Sequence, residues 1–189
     1  MANPFFTIGH SNRPLDAFVS LLRESQVGLL VDVRTIPRSR ANPQFNREAL
    51  PASLAAHGIA YDHIDALGGL RGRQKVAREV NAFWDNASFH NYADYAMGDD
   101  FRAGLERLRE LGAGARAAIM CAEIAWQRCH RRIIADYLIA AGEEVWHILA
   151  PGKGEPARLT PAARPGPKGA LIYPKEEAQL DLLGPTAEH

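Results

Sequence analysis

The stretch RAAIMCAEIAWQRCHR, residues 116–131, decides how the rest of the chain is read. Its opening, Arg116 to Met120, contains a continuous apolar run of the kind that fills a buried strand. From Gln127 to Ala141 the pattern changes to helical spacing, with Ile133, Ile134, Tyr137 and Leu138 as the apolar stripe. Cys121 therefore stands where a strand ends and a helix is about to begin. Open α/β sheets bind ligands at such carboxyl ends. The same stretch gathers the only two cysteines of the chain with Glu123, His130, Arg128 and Arg131. A thiol near a helix N-terminus and guanidiniums is biased toward its nucleophilic thiolate.

Outward from this junction the alternation repeats. Phe5 to Ile8, Gly28 to Val33, Ile59 to Ile64 and Glu144 to Leu149 read as further strands. Leu15, Phe18, Val19 and Leu22 follow Pro14 at helical spacing, and Leu50 and Leu54 suggest a helix closing at His57-Gly58. Shorter helices are expected near Arg73 to Phe83 and Ser88 to Ala96. A longer one carries Phe101, Leu105, Leu108 and Leu111, with Asp99 or Asp100 as cap and Gly112 as terminator. The pattern predicts a single-domain α/β fold, a mostly parallel open sheet of about five strands with helices on both faces. Residues 1–150 form that domain, with a polar crevice at the C-terminal strand edge. Residues 151–189 read as a Pro/Gly-rich connector, a short strand at Leu171 to Tyr173 and a helical turn or two at Glu176 to Leu183, packing on the same domain.

Composition narrows the partners. The 22 Lys and Arg balance 22 Asp and Glu, so overall charge does not steer the molecule to nucleic acid or a membrane, and such a partner needs a local patch. The N-terminus lacks the basic and long apolar regions of a signal peptide, and Val27 to Val33 is too short to span a bilayer. No membrane partner is expected. Two cysteines make no disulfide framework, and the expected location is the reducing cytoplasm.

In a parallel sheet the loops after successive strands emerge at one edge, which predicts a common crevice for Gly9-His10-Ser11-Asn12, Arg34 to Arg40, Leu67 to Arg73 and Cys121 to Arg131. Arg34, Arg38, Arg128 and Arg131 there can fork onto a phosphate, and backbone amides near Gly68 and Gly69 add donors. Ser11 and Asp32 are candidate contacts to the same substrate. The alternative is internal pairing of these arginines; Arg132 and Asp136, four apart on a helix, are expected as a surface pair of that kind.

Cys121 has three readings. As a nucleophile it is activated by His130 or His10 in a positive field, with Glu123 as acid or base. As a metal ligand it joins Cys129, His130 or His147 around Zn²⁺, although the Cys-x₇-Cys-His spacing is not a common zinc pattern. As a structural residue it simply ends a buried strand. For Cys129 inert packing is the favoured reading, because free cysteine often behaves as a small hydrophobe. Phe89 and Tyr92 read as core or lid packing, and as base-stacking groups only if nucleic acid binds.

Thr7-Ile-Gly-His-Ser11, Asp32-Val-Arg34 with Pro37 and Ser39, Leu67-Gly-Gly69, Cys121-Ala-Glu123 and Cys129-His-Arg131 together resemble the bacterial and archaeal family DUF488. The resemblance implies a compact α/β domain with a polar pocket made by these motifs, and it brings no substrate or catalytic assignment. The reading taken from the residues is an enzyme, a cysteine-dependent transferase or hydrolase. Its Cys-containing, arginine-rich pocket acts on a phosphate-bearing small molecule or nucleic-acid component. Cys121, Glu123, His130 and His10 are its catalytic candidates, with no resident cofactor. A non-catalytic nucleotide or nucleic-acid binding module and a Cys/His metal-binding protein stand as alternatives.

Overall fold

The structure, a computed structural model, describes residues 1–175. Five strands run parallel: β1 (Phe5–Gly9), β2 (Leu29–Asp32), β3 (Ala60–His63), β4 (Ala117–Cys121) and β5 (Val145–Ala150). A sixth, β6 (Lys153–Pro156), runs antiparallel to β5, giving the order β3-β2-β4-β1-β5-β6. The sequence predicts only a connector there. Gly152, at φ 67°, supplies the left-handed turn that folds the chain back, and Lys153, Gly154 and Pro156 make a poor template for a further strand.

Alternation along the strands builds the two layers. Phe6, Ile8, Leu30, Ala118 and Met120 face α1 (Leu15–Glu24) and α2 (Leu50–Ala55), packing on Phe18, Leu22, Leu50 and Leu54. Phe5, Val31, Ala117 and Ile119 point the other way, toward α3 (Ala87–Ala96), α4 (Asp99–Gly114) and α5 (Arg131–Ala140), where Phe101, Leu108, Ile134 and Leu138 meet them. Helices thus cover both faces, as the α/β pattern requires. A short strand forms at Leu171–Ile172, as expected, and pairs antiparallel with Arg164–Pro165 in a separate two-stranded sheet. Leu171 and Tyr173 are buried in the second layer, so residues 151–175 pack on the same body.

Several local expectations fail for physical reasons. Arg73 to Phe83 contains a single 3-10 turn, Arg78–Asn81, because Val76 and Val80 offer too little apolar surface to bury a helix. Asn81 is buried instead, accepting from Tyr173 N at 2.9 Å and donating to Asp94 at 2.6 Å. Gly98 caps α4, with Asp99 and Asp100 in its first turn, and the helix runs through Gly112. A Cβ at Gly112 would lie 2.2 Å from the Phe5 ring, so this glycine permits close packing and does not end the helix. Asp136 forms no surface pair with Arg132: it is 1% exposed and accepts from Thr160 N and Tyr173 Oη. The late helix begins at Arg131, after a 3-10 turn at Trp126–Arg128 and an extended Cys129. The turns expected at Glu176 to Leu183 lie outside the described residues.

Candidate active site

The site starts with two main chains running side by side. His10 N donates to Cys121 O at 2.9 Å and Ser11 N to Ala122 O at 3.0 Å, extending the pairing of β1 with β4 past the strand ends. A Cβ at Gly9 would lie 2.0 Å from the Glu123 carbonyl oxygen, an approach that only glycine allows. Ser11, at φ 47°, turns the first loop away. The 3-10 turn then carries the chain back, and the Cys121 and Cys129 sulfurs meet at 2.6 Å.

Beneath the two sulfurs lies Arg131, 1% exposed and the largest fully buried side chain of the described residues. Its Nε donates to Cys121 Sγ at 3.0 Å and Cys129 Sγ at 3.3 Å. Nη1 donates to Thr7 Oγ1 at 3.0 Å and Nη2 to Glu123 O at 2.6 Å. Thr7 Oγ1 is in turn hydrogen-bonded with His147 Nδ1 at 2.7 Å. Trp126 stacks on His147 at 4.2 Å, and its indole N–H reaches Glu155 on β6. No carboxylate lies within ion-pair distance of Arg131 among the described residues. A guanidinium does not deprotonate in proteins, and a buried charge without a counterion is costly. Among the described residues, the only groups beside it able to carry a negative charge are the two thiols.

The ionisation of the pair follows. Burial, together with the hydrogen bond to Cys129, pushes the Cys121 thiol well above its ordinary range. Burial also opposes a charge on Cys129. There the hydrogen bond from Cys121 and the proximity of His130 and Arg131 outweigh it, holding Cys129 well below the ordinary thiol range. A guanidinium shared by two touching sulfurs favours one negative charge on the pair over none or two. Arg131 N, at the start of α5, adds a backbone donor to Cys129 Sγ at 3.4 Å. His130 Nε2 donates to Val33 O at 2.8 Å, which leaves Nδ1 facing Cys129 Sγ at 3.5 Å. The sequence points to Cys121 as nucleophile and Cys129 as packing, whereas the electrostatics give the more acidic thiol to Cys129.

Around the thiols opens a cavity of about 490 Å³, lined by His10, Arg34, Arg38, Gly69, Cys121, Glu123, Arg128, Cys129 and His130, with Ile36, Leu70, Phe89 and Tyr92 as apolar walls. Ser11, Asp32, Gly68 and Arg131 lie outside its lining. Asp32, fully buried, takes both prongs of Arg34 at 2.9 and 2.7 Å and the Tyr61 hydroxyl at 2.6 Å. Arg34 also donates to Phe45 O and to His10 Nε2. His10 Nδ1 donates to Ser11 O at 2.7 Å, so both ring nitrogens are engaged, and burial above all lowers its pKa. These residues form a neutral wall. The Gly68-Gly69 turn serves close approach: a Cβ at Gly68 would strike Thr35, and one at Gly69 would lie 2.5 Å from His130 Nδ1.

Fewer arginines are free than their number in the sequence suggests. Arg38 pairs with Glu48 on the surface, and Arg128 is exposed at the mouth with no ion pair among the described residues. Glu123 caps its own loop by accepting from Ala125 N at 3.1 Å. No group of three or more His, Cys, Asp or Glu able to hold a metal occurs among the described residues. The Arg131 guanidinium occupies the place beside both sulfurs that a cation would take, and Thr7 holds Nδ1 of His147. No described helix is long and apolar enough to cross a membrane.

Sequence reasoning brought Thr35, Ile36 and Leu70 to the crevice only as parts of their loops, missed Asn86 on the pocket wall and misjudged Arg131. Arg131 precedes Ile134, Ala135 and Leu138 by three, four and seven positions, the spacing of one helix face, and that was the signal of its burial. Comparison with curated proteins and with solved structures found no match. A family model, the domain of unknown function DUF488, matches residues 14–138, leaving β1 and its Thr7-Ile-Gly-His motif outside the matched span. The chain belongs to the DUF488 family.

Proposed function

We propose that the chain is an enzyme, a cysteine-dependent transferase or hydrolase, in which the Cys129 thiolate attacks an electrophilic centre of a small phosphate-bearing molecule such as a nucleotide. The observation that carries this reading is the buried Arg131, whose only available counterion among the described residues is the thiol pair. A structural cysteine has no need of a buried guanidinium, and a thiolate is the form in which cysteine is nucleophilic. Cys121 keeps its proton and hydrogen-bonds the thiolate. His130, with Nδ1 toward Cys129 and Nε2 held by Val33, exchanges a proton with the leaving group or water.

Substrate size and charge follow from the cavity. Its volume of about 490 Å³ suits a small molecule. Arg128 at the mouth, with no ion pair among the described residues, holds the anionic end, Arg38 joins it by exchanging its surface pair with Glu48, and Ile36, Leu70 and Phe89 hold an apolar or aromatic part. Arg34 and Arg131 are committed to internal partners, which favours one phosphate-bearing group over a long nucleic-acid backbone.

Two measurements test the reading. Iodoacetamide should label Cys129 on the acid side of an ordinary thiol and faster than Cys121, as followed residue by residue by mass spectrometry. A thermal-shift screen of nucleotides and phosphorylated metabolites should give hits that weaken with salt and with Arg128→Ala, while that variant melts like the wild type. The hits are then assayed for turnover, which Cys129→Ser should abolish. Two thiols unreactive below the ordinary range would remove the nucleophile. Hits unchanged by Arg128→Ala and salt would remove the anion subsite, and binding without turnover would leave a nucleotide-binding module.

A further inference from the structure

Two buried sulfurs in contact, sharing the Arg131 guanidinium as donor, provide for more than a single nucleophilic displacement. We propose that Cys121 and Cys129 form a two-electron redox site that reduces a small hydroperoxide and closes into an internal disulfide. The proposal rests on the thiolate reading of the site. Cys129 attacks the terminal oxygen of ROOH, the S–O bond forms as the O–O bond breaks, and RO⁻ leaves as ROH after taking a proton from water or His130. Cys129 is then a sulfenic acid. The Cys121 thiol attacks the Cys129 sulfur, the S–S bond forms, and the hydroxyl leaves as water with the Cys121 proton. A dithiol restores both cysteines and is itself oxidised.

Three features support this second chemistry. Both cysteines line the cavity floor at 4% exposure each, which admits a small oxidant and leaves little room for a bulky one. Cys121 lies against Cys129, so a sulfenic acid formed on one is within reach of the other. Arg131 donates to both sulfurs and loses its negative partner when the disulfide closes. The reduced form is therefore the one the protein stabilises, which makes the disulfide easy to reduce and the cycle repeatable.

The experiment uses the reduced full-length chain and stoichiometric hydrogen peroxide. The expected product is lighter by two hydrogens, and trypsin, cutting after Arg116, Arg128 and Arg131, should yield peptide 117–128 disulfide-linked to peptide 129–131. Dithiothreitol should reverse it. Cys121→Ser should stop one oxygen heavier, with dimedone trapping the sulfenic acid on Cys129. Arg131→Met should make the disulfide at least about tenfold more resistant to a glutathione buffer, equivalent to about 30 mV. If the wild type forms no disulfide, or runs on to sulfinic acid, while Cys129 is still alkylated on the acid side, the redox proposal falls and the thiolate reading stands. If peroxide and acid-side alkylation both fail, the two fall together.

Discussion

Replacing Arg131 by methionine removes the buried charge while keeping much of the side-chain volume. It deletes four donor contacts, to Cys121, Cys129, Thr7 and Glu123. Breaking a buried ion pair by removing one partner costs about 3–5 kcal/mol, and a thiolate can escape most of that cost by taking up a proton. At about 1.4 kcal/mol per tenfold, the thiolate population falls at least about 100-fold wherever the wild type is ionised and the variant is not. The assay is iodoacetamide labelling of Cys129 at about pH 6, more than two units below an ordinary cysteine. Wild type should react readily and Arg131→Met about 100-fold more slowly, with circular dichroism confirming that the variant is folded. Arg131→Lys, which keeps the charge, should restore most of the rate and covers the case in which methionine does not fold. A folded Arg131→Met that labels as fast as wild type would refute the counterion argument.

Other outcomes follow from individual contacts. Asp32→Asn breaks a bidentate pair in which Arg34 is 6% exposed and Asp32 fully buried; a loss of about 3–5 kcal/mol should lower the melting temperature by roughly 6–20 °C in calorimetry. An unchanged melting temperature would show the pair to be energetically idle. Gly69→Ala forces a Cβ to within 2.5 Å of His130 Nδ1, so the ring must turn. Cys129 labelling should slow while melting shifts by about 1–3 kcal/mol equivalents, and a variant of unchanged reactivity would separate His130 from the thiolate. His147 has its pKa lowered to about 4, by burial first and then by Arg131. Between the unfolded value of 6.5 and about 4 the unfolded chain binds the extra proton, so stability rises with pH across that window and is lost on acidification. The full loss is about 3 kcal/mol, and His147→Gln should flatten the dependence of the urea midpoint over the same range.

The sheet was legible because β1, β2, β4 and β5 are predominantly apolar, interrupted only by Thr7, Asp32 and His147, and a strand buried on both faces carries little else. Strand β6 was not, because an edge strand of Lys, Gly, Glu and Pro has neither apolar alternation nor β propensity and exists through its partner β5. The juxtaposition of the β1, β2 and β4 loops could be read from parallel topology alone. The division of labour among the arginines could not. Whether Arg34 meets a ligand or Asp32 depends on side-chain direction two residues past a strand, and whether Arg131 faces water or sulfur depends on where α5 begins. Cys129 escaped for the same reason: its extended backbone before α5 turns the thiol toward Cys121, whereas a helical Cys129 would present it along the helix flank.

The close approach at Gly9 separates two properties of the pocket that are usually entangled. The loop after β4 is held by main-chain bonds from His10 and Ser11, and the Glu123 carbonyl sits where a Cβ of residue 9 would be. The Glu123 side chain is exposed and lines the cavity, and within the loop it accepts only from Ala125 N. Glutamine at this position keeps that acceptor and changes the charge at the mouth of the cavity without displacing either sulfur. Within this scaffold the electrostatics of the entrance can be varied apart from the backbone that holds the thiols, and position 123 is the natural place to vary them.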